Sequence, residues 1–285
     1  MSSVGVLLLV LSSCNSTLEG DQYAVSAERG FADLKVVYIP ADGFAYKDEN
    51  GELTGVGIDI MQEFADFVSS SHGIELRYNF IPERDFSTFY NKVKESTGGV
   101  FGLGNVTITE SRREELRFSP PYLTNIAVLI THDSAEQLSS LEQIGEEWSH
   151  KTALAFGGTL HETRIRDLKN QYWQDMPVDL ASSNTEILER VSTNPDLFSY
   201  VDIYNYWRAA ESGMALKQHT VGDQPSERFG IIMPLSSDWE LVVTDFFERG
   251  QGFRTSRVYR SILENHLGPE LTEKLEAARE AFDTE

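Results

Sequence analysis

Asn105, Thr107, Thr109 and Arg112 stand close together, where a short apolar run carrying Gly102 and Gly104 gives way to polar residues. A guanidinium presents a planar fork of donors that fits a carboxylate in bidentate fashion. Threonine hydroxyls and free backbone N–H groups at a strand end add further donors. The chemistry this suits is the capture of an acidic group. The two glycines let a ligand or another backbone come close to the strand. The same residues also compose a plain surface strand, turn and charged helix start, and the local sequence leaves both readings open.

A second junction has similar character. Thr152–Phe156 is a strand that runs into Gly157-Gly158-Thr159 and a helix reaching about Gln171. A helix N-terminus offers unpaired N–H groups and the positive end of the macrodipole, which together attract anions. Thr159 either caps that helix or meets a ligand, and the two roles are compatible. Asp202 ends the apolar strand Leu197–Val201 and precedes a helix, so it either caps the helix or faces a cleft. Phe44 follows the first strand, where open α/β sheets place ligand contacts; it is equally suited to the core.

Several chemistries are excluded. His161-Glu162 is followed at position 165 by Ile165, so the zinc-protease spacing fails. The 6 histidines show no paired metal spacing and the lone cysteine has no partner. No phosphate loop and no Gly-x-Ser-x-Gly elbow are present. No metal, cofactor or catalytic residue is therefore expected. The formal charge is −21, from 24 basic and 45 acidic side chains, which argues against nucleic acid as a partner.

These groups need a scaffold. Hydrophobic content of 40% is that of a globular chain. Lys35–Ile39, Leu76–Phe80, Val100–Val106 and Ile126–Thr131 read as strands. Ile58–Ser70 and Asp85–Ser96 read as helices, the first burying Ile60, Met61, Phe64, Phe67 and Val68. Asn50-Gly51 predicts a hairpin pairing Phe44–Tyr46 with Glu52–Thr54. Ser140 to Gln143 reads as a capping box before a short helix. Later segments add strands at 178–180 and 229–233 and helices at 184–191, 236–249, 256–266 and 270–282. Strands alternating with helices predict a parallel α/β sheet. Two α/β units follow, divided near residue 131, with a return to the first near 232.

Val4–Leu11 is a short apolar run ending in Leu11-Ser12-Ser13-Cys14, too short to span a bilayer. It reads as an export signal over 1–14 whose lipobox makes Cys14 the lipidated N-terminus, although no Lys or Arg precedes the run. A frayed terminus with a stray thiol is the alternative. The polar residues 15–32 read as a tether.

Gly51-Glu-Leu-Thr-Gly55 to Ile60, Asn105 to Arg112 with Phe118-Ser-Pro-Pro-Tyr122, Gly157-Gly-Thr159 and Tyr200-Val-Asp202 together resemble the bacterial extracellular solute-binding proteins of family 3, the polar amino acid type. Val56-Gly57 replaces an aromatic and an acidic residue usual there. The resemblance implies a periplasmic-binding-protein fold of type II, two α/β lobes joined by two crossover strands. Lobe 1 would span 33–131 plus 232–285 and lobe 2 would span 132–231. It implies ligand-binding roles for Arg112 as carboxylate clamp, for Thr107 and the backbone of Asn105 as added donors, and for Thr159 as a donor from lobe 2. Asp202 would pair with an ammonium and Phe44 would pack on the ligand. The function implied is a monomeric, exported receptor, periplasmic or at the cell surface, tied to the membrane by its lipid alone. It would deliver a small amino acid or related carboxylate to an ABC permease. A cyclohexadienyl dehydratase on the same fold, or a sensory or wall-lytic input module, are the alternatives; the chain ends about where such a domain does.

Overall fold

β-branched and aliphatic runs form the strands, and amphipathic segments between them return the chain to the same sheet. The computed structural model describes residues 17–283, so the export signal and Cys14 lie outside the described residues. The chain opens with β1 (Glu19–Gly20), α1 (Tyr23–Arg29) and β2 (Phe31–Tyr38). Residues 19–32 of the expected tether are thus folded. The amides of Tyr23 and Ala24 donate to the Asp238 carboxylate at 2.7 and 3.0 Å, and Trp239 Nε1 donates to the Asp21 carbonyl at 2.8 Å. A residue from the far end of the sequence therefore supplies the cap that the local Gln22 does not.

The predicted hairpin is present as β3 (Tyr46–Lys47) and β4 (Leu53–Thr54), antiparallel across the Asn50-Gly51 turn. Then come α2 (Val56–His72), β5 (Glu75–Pro82), α3 (Phe86–Lys94), β6 (Thr97–Gly98), β7 (Val100–Thr107), α4 (Glu110–Arg113), β8 (Leu116–Phe118) and β9 (Leu123–His132). Ile60, Met61, Phe64 and Val68 of α2 are buried, and Phe67 is partly so. Asp85 caps α3 by accepting from Thr88 N at 2.7 Å. A Cβ at Gly102 would lie 2.6 Å from Ile232, and one at Gly104 would lie 2.6 Å from the Phe89 ring. These glycines admit core side chains to the strand.

The second half carries α5 (Ile144–Glu147), β10 (Thr152–Phe156), α6 (Leu160–Tyr172), β11 (Val178–Ala181), α7 (Asn184–Thr193), β12 (Leu197–Asp202), α8 (Ile203–Glu211) and the long β13 (Leu216–Pro234). It closes with α9 (Glu240–Glu248), α10 (Arg257–Leu267) and α11 (Pro269–Asp283). Ser140 makes no side-chain cap, so the predicted capping box is not formed.

One sheet runs through both halves in the order β11-β10-β12-β9-β13-β7-β2-β5, with β8 on β13. The outer pairs are parallel, as the alternating pattern predicts, while β9 and β13 are antiparallel to their neighbours. β9 and β13 cross between the halves. Residues 127–131 of β9 pair with β12, while its residues 123–125 pair with β13 at 227–229. The β9–β13 register shifts on both sides of Gln224, where the strand passes from one half to the other. Two α/β lobes hang from this pair of strands. Ile165, Phe198 and Tyr200 help fill the core of one, and Phe89, Val93 and Ile232 part of the other.

Candidate functional site

The strand ends and helix starts singled out by residue type meet at a cavity of about 630 Å³. Phe44, Asn105, Thr107, Arg112, Thr159 and Asp202 all line it. That volume lies within the range usual for small-molecule sites.

Arg112 comes from α4, which Thr109 starts by accepting from the Arg112 amide at 3.2 Å. Its Nη1 donates to the Thr107 carbonyl at 3.0 Å. The guanidinium lies 5.6 and 5.7 Å from the ring centroids of Phe86 and Tyr90. Burial lowers its pKa, because desolvation disfavours the charged form. Among the described residues no carboxylate stands within ion-pair distance of it, so donors remain for an acidic group in the cavity.

Asn105 holds a left-handed backbone, φ 51°, which asparagine tolerates better than most residues. Its Nδ2 donates to the Tyr204 hydroxyl at 3.0 Å, and its Oδ1 accepts from the Tyr122 hydroxyl. Burial raises the pKa of both tyrosines and keeps them as O–H donors. Phe44 is 4% exposed, with its ring 4.3 Å from that of Tyr204. It serves the core and the cavity wall together.

Thr159 caps α6: its Oγ1 accepts from the His161 amide at 3.2 Å and donates to the Phe156 carbonyl at 2.9 Å. The plain capping role is therefore fulfilled, and its hydroxyl hydrogen is already given. Asp202 is 7% exposed. Its Oδ1 accepts from Asn125 Nδ2 at 2.6 Å and faces His161 Nε2 at 3.3 Å. Among the described residues no donor reaches its Oδ2. It makes no side-chain cap to α8, so the cleft-facing alternative is the one realised.

Sequence reasoning missed Glu227, which lines the cavity with Asp202, and Asn125, which joins the two. Glu227, on β13, is 5% exposed. It pairs with Arg164 and accepts from Asn125 Nδ2 at 2.7 Å and, more loosely, from Thr107 Oγ1 at 3.4 Å. Asn125 is fully buried on β9 and gives its amide hydrogens to both carboxylates. An amide inside the largely apolar β9 is the available signal for Asn125, whereas Glu227 stands in a polar stretch of β13 that gives none. The cavity thus has an unpaired cation on one side and internally bonded carboxylates on the other. That arrangement can hold a small molecule carrying both charges.

The sequence model of the family described as "Bacterial extracellular solute-binding proteins, family 3" matches residues 34–278. Among curated proteins, membrane-bound lytic murein transglycosylase F of Pseudomonas fluorescens strain Pf-5 is 24% identical over 140 residues, 49% of this chain and 26% of that protein. The Pseudomonas putida F1 protein of the same name matches equally, at 24% over 140 residues. The chain thus spans about a quarter of the length of the curated relatives it matches. Among solved structures, an ancestral arginine-binding protein bound to arginine superposes with a TM-score of 0.66 at 20% identity, covering 83% of this chain and 98% of that one. A putative ABC transporter binding component from Wolinella succinogenes, complexed with lysine, gives 0.64 at 14%, covering 85% and 98%. The ancestral amino acid-binding protein AncCDT-1, a precursor of cyclohexadienyl dehydratase, gives 0.62 at 21%, covering 86% and 98%. At these identities the likenesses bear on the fold, and they agree with two α/β lobes.

Proposed function

We propose that this chain, which belongs to the bacterial extracellular solute-binding proteins of family 3, captures a small amino acid or related carboxylate between its lobes and delivers it to an ABC permease. The observation that carries this reading is the pairing across one cavity of Arg112, a cation without an ion pair among the described residues, with Asp202, a carboxylate whose Oδ2 meets no donor among them. Arg112 clamps the ligand's carboxylate, with the Thr107 hydroxyl and the backbone of Asn105 at its side. Asp202 takes the ammonium and Phe44 packs on the body of the ligand. Thr159 contributes by ending α6 at the cavity, its hydroxyl already engaged.

We take the lobes to divide on the two crossover strands, β9 and β13, for which the expected bounds are near 131 and 232. Closure of the lobes on a ligand is driven by the ligand's greater affinity for the closed form. Attachment through Cys14 would keep the receptor, a monomer, at the outer face of a membrane; no helix among the described residues is long and apolar enough to cross one. A second reading, a ligand-sensing module within a larger wall-lytic protein, is favoured by the match to the murein transglycosylases.

A thermal-shift screen of amino acids, small organic acids and amines tests the proposal. A ligand at about a hundredfold excess over its Kd stabilises by about 2.7 kcal/mol, a shift of several degrees. If no amino acid or small carboxylate moves the melting temperature of the folded protein, the capture reading fails.

A further inference from the structure

The cavity extends beyond the seats proposed for the two charged ends of a ligand. Asp202 immediately precedes α8, and Tyr204, Asn205, Arg208 and Ala209 of that helix line the cavity in turn. At a rise of about 1.5 Å per residue, Arg208 lies about 9 Å along the helix from Asp202, a distance suited to the far end of a long side chain. Facing it is the turn Ala41–Ala45 of lobe 1. Ala41 and Ala45 exchange both backbone hydrogen bonds at 2.9 Å, and Gly43 takes φ 81°. A Cβ there would lie 2.8 Å from Leu267 Cδ2, so the turn sits directly on the end of α10.

Arg208 crosses from lobe 2 to lobe 1 at this point. Its Nε and Nη2 both meet Asp42 Oδ2, at 2.7 and 2.6 Å, and its Nη1 donates to the His266 carbonyl at 3.1 Å. His266 is itself fixed, its Nε2 2.7 Å from Asp59 Oδ2 and its Nδ1 3.3 Å from the Tyr46 hydroxyl. Each nitrogen of the guanidinium is thus engaged with lobe 1. Asp42 is matched by Arg208 and Glu227 by Arg164, while Arg112 and Asp202 are left for the two ends of the ligand. Arg84 and Glu211 also line the cavity, but both are exposed, one of each sign, and solvent screens them.

We infer that Arg208 is a specificity-determining residue: by taking up Asp42 it leaves the far end of the cavity without net charge, so that the site takes amino acids with neutral side chains and rejects the basic ones. This rests on the capture reading above and names the class of ligand within it. A basic side chain reaching that end would meet a guanidinium and an acid that already balance each other. It gains no partner in exchange for the water it gives up, whereas a neutral chain of the same length has far less hydration to lose.

Arginine and citrulline make the test, since they share length and shape and differ by one charge; lysine and norleucine repeat it. Affinities are measured by calorimetry on the whole protein at pH 7.5, beside the other common L-amino acids. The wild type is expected to bind citrulline about tenfold more tightly than arginine. Arg208→Met keeps part of the stem and frees Asp42, so that ratio should fall about tenfold, the partial exposure of the pair holding the effect near that size. Asp42→Asn leaves Arg208 unbalanced, and the ratio should rise. The double variant carries neither charge and should return close to the wild type. A role confined to packing would move both single variants in the same direction. Shifts of the same sign in both, no shift in either, or a wild type that prefers arginine overturn the inference, while amino-acid binding by the wild type upholds the capture reading. If the wild type binds short amino acids alone, the inference stands if Arg208→Met gains arginine or lysine and is overturned if it gains neither. If neither the wild type nor any variant binds an amino acid, the capture reading fails and the inference falls with it.

Discussion

The two charged walls of the cavity are built on opposite plans. On one side Arg112 is held by a single carbonyl and by the faces of two aromatic rings, and its remaining donors are unspent. On the other, Asp202 and Glu227 belong to a network that ties them to each other through Asn125 and to His161 and Arg164. The first wall can lose its charge with little effect on the rest of the protein. The second cannot, because removing one member of a buried network strands the others. Function and stability are therefore separable at Arg112 and entangled at the network around Asn125.

The largest effect should come from breaking the open wall. Arg112→Ala is expected to lower affinity for the stabilising ligand roughly a thousandfold, about 4 kcal/mol. The ligand-free melting temperature should stay within about 2 °C of the wild type, as the residue makes no ion pair to lose. Unchanged affinity in calorimetry would remove Arg112 from the clamp.

Breaking the closed wall should show in the ligand-free protein. Asn125→Ala takes the shared donor from two buried carboxylates and is expected to cost about 3 kcal/mol of stability. Urea unfolding measures it; a loss below about 0.5 kcal/mol, the range of an ordinary surface change, would mean that the network is not a stability element.

The smallest effect supplies the control. Asp223 lies on the same crossover strand but has only the Gln218 amide, at 2.7 Å, and its Oδ1 is buried without a partner. Burial pushes its carboxyl up to about 6. A raised carboxyl pKa favours the folded state fully only below the ordinary value of 3.8, and that contribution is lost as pH rises through about 6. Asp223→Asn should therefore stabilise the protein by about 1 kcal/mol at pH 7.5, allowing for the side chain's partial exposure, and by almost nothing at pH 3.5. Melting temperatures across that range decide it. A difference independent of pH would show that the charge of Asp223 is not the cause, and the contrast with the paired acids Asp202 and Glu227 would lose its basis.

What the sequence discloses follows from how local its causes are. The alternation of strands and helices, the Asn50-Gly51 hairpin and the buried face of α2 all depend on nearest neighbours and short periods, and all were readable. So were Asn105, Thr107, Thr159 and Asp202 among the residues that line the cavity, because each stands at a strand end or helix start. The first half of β13 was not. Lys217, Gln218 and His219 are polar, and Gly222, Asp223 and Pro225 are turn formers, yet β9 pairs with this stretch because it must cross between lobes. Glu227 was invisible for the same reason: Arg164, Asn125 and Thr107 come to it from distant positions. The cap that Asp238 lends to α1 is likewise made by the fold, with no trace near Tyr23.

Thr107 joins the two walls. Its carbonyl serves Arg112, and its hydroxyl reaches Glu227 at 3.4 Å. If the cavity takes a zwitterion as proposed, one residue stands between its two charged ends, and the free energies of those ends need not add. A fragment bearing one charge would then not report half of the whole molecule's binding. The difference between the whole ligand and the sum of its halves would measure the coupling that Thr107 carries.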